Sequence, residues 1–425
     1  MVTPEAAEEA VSCSIERLGN VPRPGRLVAL KTKDEVRAAL ETFEAYIVGV
    51  SAKFAGAILN VIRESLPDLK TAEFQHLRRV VSFEYLPQHL QTRFGIIRYP
   101  ESDIRDETDG FTALTRAEIR YLLVSPITAI SQSGLIEVLA KKPPFLDASA
   151  LPAVFTIPVP ALAPTSAEQA AQWTRDFWPI SYKNTNPYGP HPSLVARNTA
   201  DIEEGAGTYL ALAEAAGEQI SELSLGEKVG CVIVDKTGGD EQIIAVTGDC
   251  RWQSRNGGPM KKEEPGNVMA HAVQRGIAMV AKKRLRVAGT NPESISSSKV
   301  FCDSPLTDHE KHFYSLDNIP PNGYLCSELD IYITHEPCVM CSMAILHSRF
   351  RRCVFSRRMP LTGGMTAGVG SVQGDGSTAV VRNVSGLGHG IFWRPSELNW
   401  KFLAWEWIDT DRLDTYLEVK DTLQA

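Results

Sequence analysis

A short cysteine motif constrains this chain more than any other stretch. Pro337, Cys338 and Cys341 form a Pro-Cys-x-x-Cys motif directly after the apolar run at residues 329–334. Proline suits the first position of a helix, and side chains three residues apart lie on one face of its first turn. The sequence therefore predicts a buried strand that runs into a helix whose two thiolates can bind one metal ion.

A third ligand is predicted upstream, at the start of another helix. His271 lies at the beginning of a predicted helix over residues 270–284, with apolar residues available for packing. Zn²⁺ accepts imidazole and thiolate ligands, and catalytic zinc sites commonly have three protein ligands and one open position. We therefore predict zinc as the cofactor, bound by His271, Cys338 and Cys341. A single Cys-x-x-Cys pair also occurs in redox sites and zinc ribbons, and a purely structural zinc ion stays open.

The two segments resemble the His-x-Glu … Pro-Cys-x-x-Cys signature of zinc-dependent nucleobase deaminases, with one departure. Val273 stands where the signature has the glutamate that moves protons between the zinc-bound water and the base. Valine cannot titrate, and a positioned acid/base is commonly worth about 10²–10⁴ in rate. We therefore expect no catalytic residue in this chain. Glu263, Glu264 and Glu336 are close in sequence, but none has the required spacing.

The resemblance to one deaminase family extends beyond these motifs. Residues 336–349 resemble the second zinc helix of tRNA adenosine deaminases, and residues 398–402 resemble that family's C-terminal segment. His-Ala-Val in place of His-Ala-Glu is similar to the non-catalytic subunit of the eukaryotic heterodimer that converts adenosine to inosine at wobble position 34 of tRNA. The resemblance implies two partners, a catalytic tRNA adenosine deaminase subunit and tRNA with adenosine at position 34.

Three functions follow from these patterns. The leading one is a zinc-binding pseudoenzyme subunit, inactive alone, that contributes to tRNA binding and stabilises a catalytic partner, which is a hydrolase. The second is a stand-alone zinc nucleobase deaminase with a relocated general acid/base. The third is a zinc-stabilised scaffold unrelated to RNA.

Length and patterning predict two domains, since 425 residues suffice for two cores. We predict a flexible N-terminal tail at residues 1–24. Residues 25–185 alternate short strands and helices and include a Pro-rich connector, which predicts a small α+β domain, with the ferredoxin-like fold as one option. Residues 186–425 predict an α/β fold, a three-layer α/β/α cytidine-deaminase-like domain with a loop insertion at residues 287–325.

Composition bears on the compartment and on RNA contacts. Without a bilayer-length apolar run or a signal-peptide core, and with eight cysteines beside a zinc motif, we expect cytoplasm and nucleus, and no membrane. A net charge of −7 argues against RNA binding over the whole surface, so local patches would supply the contacts. The candidate nucleic-acid-binding residues, favoured by the resemblance, are Arg78, Arg79, Lys282, Lys283, Arg349, Arg351 and Arg352.

Overall fold

Two compact units make up the part of the chain that the structure describes. The computed structural model describes residues 21–95, 118–146, 152–238, 241–254, 258–259, 266–292, 303–368, 387–410, 423 and 425. Residues 34–192 form the smaller unit, and residues 193–425 form the larger unit together with the chain before residue 34. None of the described helices is long and apolar enough to cross a membrane.

The first strand shows that the predicted domain boundary at residue 25 is wrong. Strand β1 is Gly25–Ala29, and helix α1 is Lys33–Leu40. β1 pairs antiparallel with the last described strand, with Gly25 opposite Asp409 and Ala29 opposite Trp405. Residues 25–29 therefore belong to the larger unit and not to the N-terminal domain, because a strand can pair with a segment that lies far away along the chain.

The smaller unit is a four-stranded antiparallel sheet with helices packed on it. Its elements follow in the order β2 (Thr42–Ser51), α2 (Ala55–Ser65), β3 (Val80–Ser82), α3 (Gln88–Phe94), β4 (Ile119–Pro126), α4 (Gln132–Ala140), β5 (Val154–Pro160) and α5 (Ala167–Asp176). The strands lie in the order β3-β4-β2-β5, so β2 and β4 are central. This layout agrees with the α+β prediction, and the ferredoxin-like assignment stays a prediction.

The larger unit is built on a six-stranded mixed sheet. Its further elements are α6 (Pro192–Glu222), β6 (Gly230–Asp235), β7 (Gln242–Gly248), α7 (Ala272–Val287), α8 (Asp308–Ser315), β8 (Leu329–His335), α9 (Val339–His347), β9 (Arg352–Arg357) and β10 (Leu403–Asp409). The strand order is β1-β10-β9-β8-β6-β7, in which β8, β9 and β10 run parallel to one another.

Helices cover both faces of this sheet, which confirms the predicted three-layer α/β/α arrangement. On one face, Leu210 of α6 belongs to the core that contains Val232 and Tyr332. On the other face, α7 and α9 contribute to a core that contains Ile233 and Ile333. Successive strand residues point to opposite faces, so each buried strand supplies both cores. β8 is buried along its whole length and carries the chain directly to the cysteine motif.

The predicted loop insertion at residues 287–325 contains a helix. Thr307 caps α8, since its side chain accepts a hydrogen bond from the Glu310 amide. The Glu310 carboxylate is fully buried and pairs with both terminal nitrogens of Arg275, at 2.5 and 2.8 Å. The loop prediction is therefore wrong for residues 308–315, because a buried ion pair fixes this polar segment to α7. Residues 293–302 of the insertion lie outside the described residues.

Candidate metal centre

The predicted ligands meet where two helices begin. Cys338 is the N-cap of α9, and His271 is the N-cap of α7. Both ligands therefore lie at the positive ends of helix dipoles. For Cys338, this position favours the thiolate form. The sequence had suggested Pro337 at the first helical position, but it lies one residue before the N-cap.

The distances between the ligand atoms fit a zinc ion. Nδ1 of His271 lies 3.8 Å from Sγ of Cys338 and 3.5 Å from Sγ of Cys341. Zinc–sulfur bonds of about 2.3 Å and zinc–nitrogen bonds of about 2.0–2.1 Å, in a tetrahedron, place sulfur and nitrogen about 3.5–3.6 Å apart. All three side chains are buried, and they form the only such group of His, Cys, Asp and Glu among the described residues. This donor set and its spacing match a tetrahedral site with three protein ligands.

The pKa values of the two thiols shift in opposite directions. A hydrogen bond from the Cys341 thiol, together with His271, lowers the pKa of Cys338 to about 4 against the opposing effect of burial. The same hydrogen bond and burial raise the pKa of Cys341. Because zinc ligation needs both groups as thiolates, metal binding at this site would release the proton of Cys341.

The position of the missing glutamate is apolar. Val273 lies in the first turn of α7, is 0% exposed, and belongs to the same core as Cys338 and Cys341. Of the carboxylates close in sequence, Glu263 and Glu264 lie outside the described residues. The structure therefore places a complete ligand set beside a side chain that cannot transfer a proton.

Glu336, the remaining carboxylate near the motif, holds a loop. Its carboxylate accepts hydrogen bonds from the amides of Met359, Met365 and Thr366, at 3.1, 3.1 and 2.7 Å. Burial raises the pKa of Glu336, and these backbone hydrogen bonds oppose that shift. A Cβ at Gly363 would lie 2.3 Å from the Glu336 carboxyl carbon, so any other residue there would displace this carboxylate. Sequence reasoning missed this role, although Gly363-Gly364 signals a close approach of the backbone.

A later part of the chain lies against the metal centre. The amide of Cys338 donates a hydrogen bond to the main-chain oxygen of Ala425, at 2.8 Å. Oγ1 of Thr362 donates to the main-chain oxygen of Leu423, at 2.5 Å. Ala425 is 1% exposed and packs in the core that contains Cys338. The N–H at the start of α9 is therefore occupied by the protein itself and does not face a ligand.

Several predicted RNA-contacting cations are engaged inside the protein. Nζ of Lys283 is buried and donates to the carbonyls of Ile244 and Phe313, at 2.8 and 2.9 Å. Arg352 is also fully buried and pairs with Asp330, at 2.5 Å. Burial leaves these two side chains no surface for RNA, so we withdraw them as candidates.

The other candidates differ in how much of the side chain reaches solvent. Lys282 is 7% exposed and pairs with Asp303, at 2.8 Å. Arg79 is partly buried and donates to the carbonyl of Val124. Arg78 is exposed, and Arg349 and Arg351 are partly exposed. These three and Arg79 keep some surface, and the structure places Arg78 and Arg79 in a different unit from Arg349 and Arg351.

Comparison with known proteins agrees with this geometry. Residues 206–357 match the family model described as the cytidine and deoxycytidylate deaminase zinc-binding region. The chain is similar to tRNA-specific adenosine deaminase subunit tad3 of Schizosaccharomyces pombe, with 30% identity over 258 residues, 59% of this chain and 59% of that protein. It is similar to subunit TAD3 of Saccharomyces cerevisiae, with 28% identity over 227 residues, 52% of this chain and 54% of that protein.

A mammalian relative is matched over more of its length. The Mus musculus protein named "Probable inactive tRNA-specific adenosine deaminase-like protein 3" is 25% identical over 317 residues, 73% of this chain and 80% of that protein. The chain spans between half and two thirds of the two yeast relatives. The matched region contains His271, Val273 and both cysteines, so the predicted resemblance is confirmed: the chain carries a cytidine and deoxycytidylate deaminase-type zinc-binding region and resembles the non-catalytic subunits of tRNA adenosine deaminases.

Proposed function

We propose that this chain is the non-catalytic, zinc-binding subunit of a heterodimeric tRNA adenosine deaminase that forms inosine at wobble position 34. The observation that carries the proposal is Val273, which is fully buried in the glutamate position beside an intact set of three ligands. Two yeast relatives are named as subunits of a tRNA-specific adenosine deaminase, and a mouse relative is named as inactive, which supports the same function.

In this proposal the zinc ion has a structural role. His271 and the two cysteines come from the starts of α7 and α9, which are separate segments of one helical layer. A zinc ion would link the two helix starts, and its binding free energy would add to the stability of the larger unit. In an active deaminase, zinc supplies a hydroxide for attack on the base, but that chemistry also requires the glutamate that Val273 replaces.

Catalysis would then take place in the partner. A partner that keeps its glutamate would use its own zinc-bound hydroxide to attack C6 of a flipped-out adenine and release ammonia. This chain would stabilise that partner and help to bind the tRNA. Among the residues predicted to contact RNA, the ones that retain some exposure are Arg78, Arg79, Arg349 and Arg351.

The two alternatives have less support. A stand-alone deaminase would need another general acid/base, and Glu336, the described carboxylate of the motif, is instead bonded to three backbone amides. A scaffold unrelated to RNA would not explain why the relatives are named for tRNA deaminases. Localisation in cytoplasm and nucleus stays a prediction.

The test is inosine formation on a tRNA with adenosine at position 34. The assay compares this chain alone, a catalytic deaminase subunit alone, and the two mixed, with zinc content and folding checked in each sample. We expect robust activity only in the mixture. Activity of this chain alone would support the stand-alone deaminase, and an equal rate with and without this chain would contradict the subunit role.

A further inference from the structure

A second candidate site lies at the end of the sheet opposite the metal centre. The metal ligands follow the carboxyl end of β8, whereas a cavity of about 540 Å³ opens at the amino ends of β9 and β10, which run parallel to β8. The cavity is lined by apolar side chains, by the polar Asn198 and Asp201, and by three cations, Arg197, Arg351 and Lys401. The proposed function names Arg351 as a candidate RNA contact but assigns no role to the rest of this cavity.

The cavity has an excess of positive charge. The acidic groups in and beside it, Asp201 and Asp330, are both paired with the buried Arg352, and Arg351 lies 3.3 Å from Asp330. Arg197 is exposed and has no ion pair or hydrogen bond within the described residues. These pairings neutralise the two carboxylates, so Arg197 and Lys401 remain available to bind an anion.

Aromatic groups lie beside these cations. Nζ of Lys401 lies over the ring of Trp393, 4.7 Å from its centroid. The guanidinium of Arg349 lies over the rings of Trp400 and Tyr324, 4.8 and 5.9 Å from their centroids. Trp400 directly precedes the lining residue Lys401, and Arg349 lies two residues before the lining residue Arg351, so this group adjoins the cavity lining along the chain. Guanidinium planes and aromatic rings stack on unpaired bases, and neighbouring cations bind the phosphates.

We propose that the cavity and the adjoining Arg349–Trp400–Tyr324 group bind an unpaired segment of RNA. Arg197 and Lys401 bind its phosphates, and the stacked group holds a base. RNA is a better fit than an acidic peptide, because a peptide would use the cations but not the aromatic group, in which Tyr324 is 52% exposed and Trp400 is partly exposed. The choice of RNA rests on the proposed function, and the site gives the deaminase-like domain its own contact with tRNA.

The test measures RNA binding by the full chain without a catalytic partner. The probes are a tRNA transcript and a single-stranded oligouridylate, titrated at 50 to 200 mM salt against the wild type, Arg197→Ala, Lys401→Ala and the double variant. Each lost phosphate contact lowers the salt slope by about 0.7 for single strands, so the double variant should lose about 1.4. Over this fourfold salt range the wild type should then lose about sevenfold more affinity than the double variant.

Lys311→Ala is the matched control. Lys311 is an exposed cation on α8, which packs on β7 at the other edge of the sheet from β9 and β10. Its removal should leave the salt slope unchanged, and crosslinking with 4-thiouridine RNA should map to residues 393–401 in the wild type.

Three results would overturn this inference. They are the absence of RNA binding by the chain alone, a salt slope of the double variant that equals that of Lys311→Ala, and tight binding of polyglutamate without any binding of RNA. The assay contains no deamination step, so the failure of the proposed function in the inosine assay would be seen separately.

Discussion

His335 predicts a specific loss of stability in acid. It ends β8, is 2% exposed, and its Nδ1 lies 2.9 Å from Oγ1 of Thr334. Burial, reinforced by the positive charges of Arg357, Arg23 and Lys228, lowers the pKa of His335 to about 3. The folded protein therefore keeps this imidazole neutral at pH values where an unfolded chain would protonate it.

The sign and the size of the effect follow from this difference. An unfolded histidine has a pKa of about 6.5, so between pH 6.5 and pH 3 the unfolded state binds a proton that the folded state does not. Stability therefore falls as the pH falls through this window and is unaffected by this group above it. At pH 5, about 1.5 units below the unfolded pKa, protonation of the unfolded state lowers the free energy of unfolding by about 2 kcal/mol.

The perturbation is His335→Asn, and the assay is urea unfolding at pH 7.5 and pH 5. Hydrogen exchange of peptides from β8 assigns the transition to the larger unit. We expect the wild type to lose about 2 kcal/mol more than the variant between the two pH values, although the variant starts from a lower stability. Loss of a metal ion in acid would affect both proteins and cancels in this comparison.

The matched control is His312→Asn on α8, where the imidazole is exposed. This variant should keep the acid sensitivity of the wild type. Equal losses in the wild type and in His335→Asn would refute the reasoning, because they would show that His335 is protonated in the folded state or does not set the pH dependence.

Three further predictions concern the larger unit. Cys341→Ala should reduce zinc from about one ion per chain to near zero by elemental analysis, and full zinc content in this variant would contradict the ligand assignment. Glu310→Gln leaves Arg275 buried without its anionic partner and should cost about 3–5 kcal/mol in urea unfolding, whereas a cost near zero would contradict the buried pair. Glu336→Gln keeps the shape but leaves one of three amides without an acceptor, so it should cost about 1–3 kcal/mol and speed zinc release to a chelator. Unchanged release would show that the loop does not support the metal centre.

The ligand set could be predicted from the sequence because its chemistry is largely local. Cys338 and Cys341 are one helical turn apart, and a motif of this kind fixes both the metal and the helix that carries it. His271 needed only a second helix start and a ligand of the right type. The substitution at Val273 could be predicted for the same reason, since the position of the glutamate is counted from the histidine.

Features that depend on distant contacts were not predictable. The pairing of β1 with β10 joins residues near the two ends of the described chain. The sequence of residues 25–29 does not indicate which strand β1 pairs with. Lys283 and Arg352 were read as surface charges, because a run of basic residues does not show which side chains find buried acceptors. The carbonyls around Lys283 and the Asp330 carboxylate beside Arg352 come from other elements.

One omission had a local signal. Thr307 and Glu310 have the Thr-x-x-Glu spacing of a helix start, and α8 does begin there. The surrounding polar residues made the segment read as a loop. The buried partner of Glu310 is Arg275 on α7, and this tertiary contact gives the short helix a stability that its own sequence would not provide.

The central claim is that catalysis belongs to the partner and that this chain has a metal centre without a general acid/base. The most direct measurement is the inosine rate of the mixed complex with one centre changed at a time. Replacing the partner's glutamate should lower the rate by about 10²–10⁴, whereas Val273→Ala in this chain should leave it within about twofold, with complex formation verified for both. A large loss from Val273→Ala in an intact complex, or full activity without the partner's glutamate, would contradict the account.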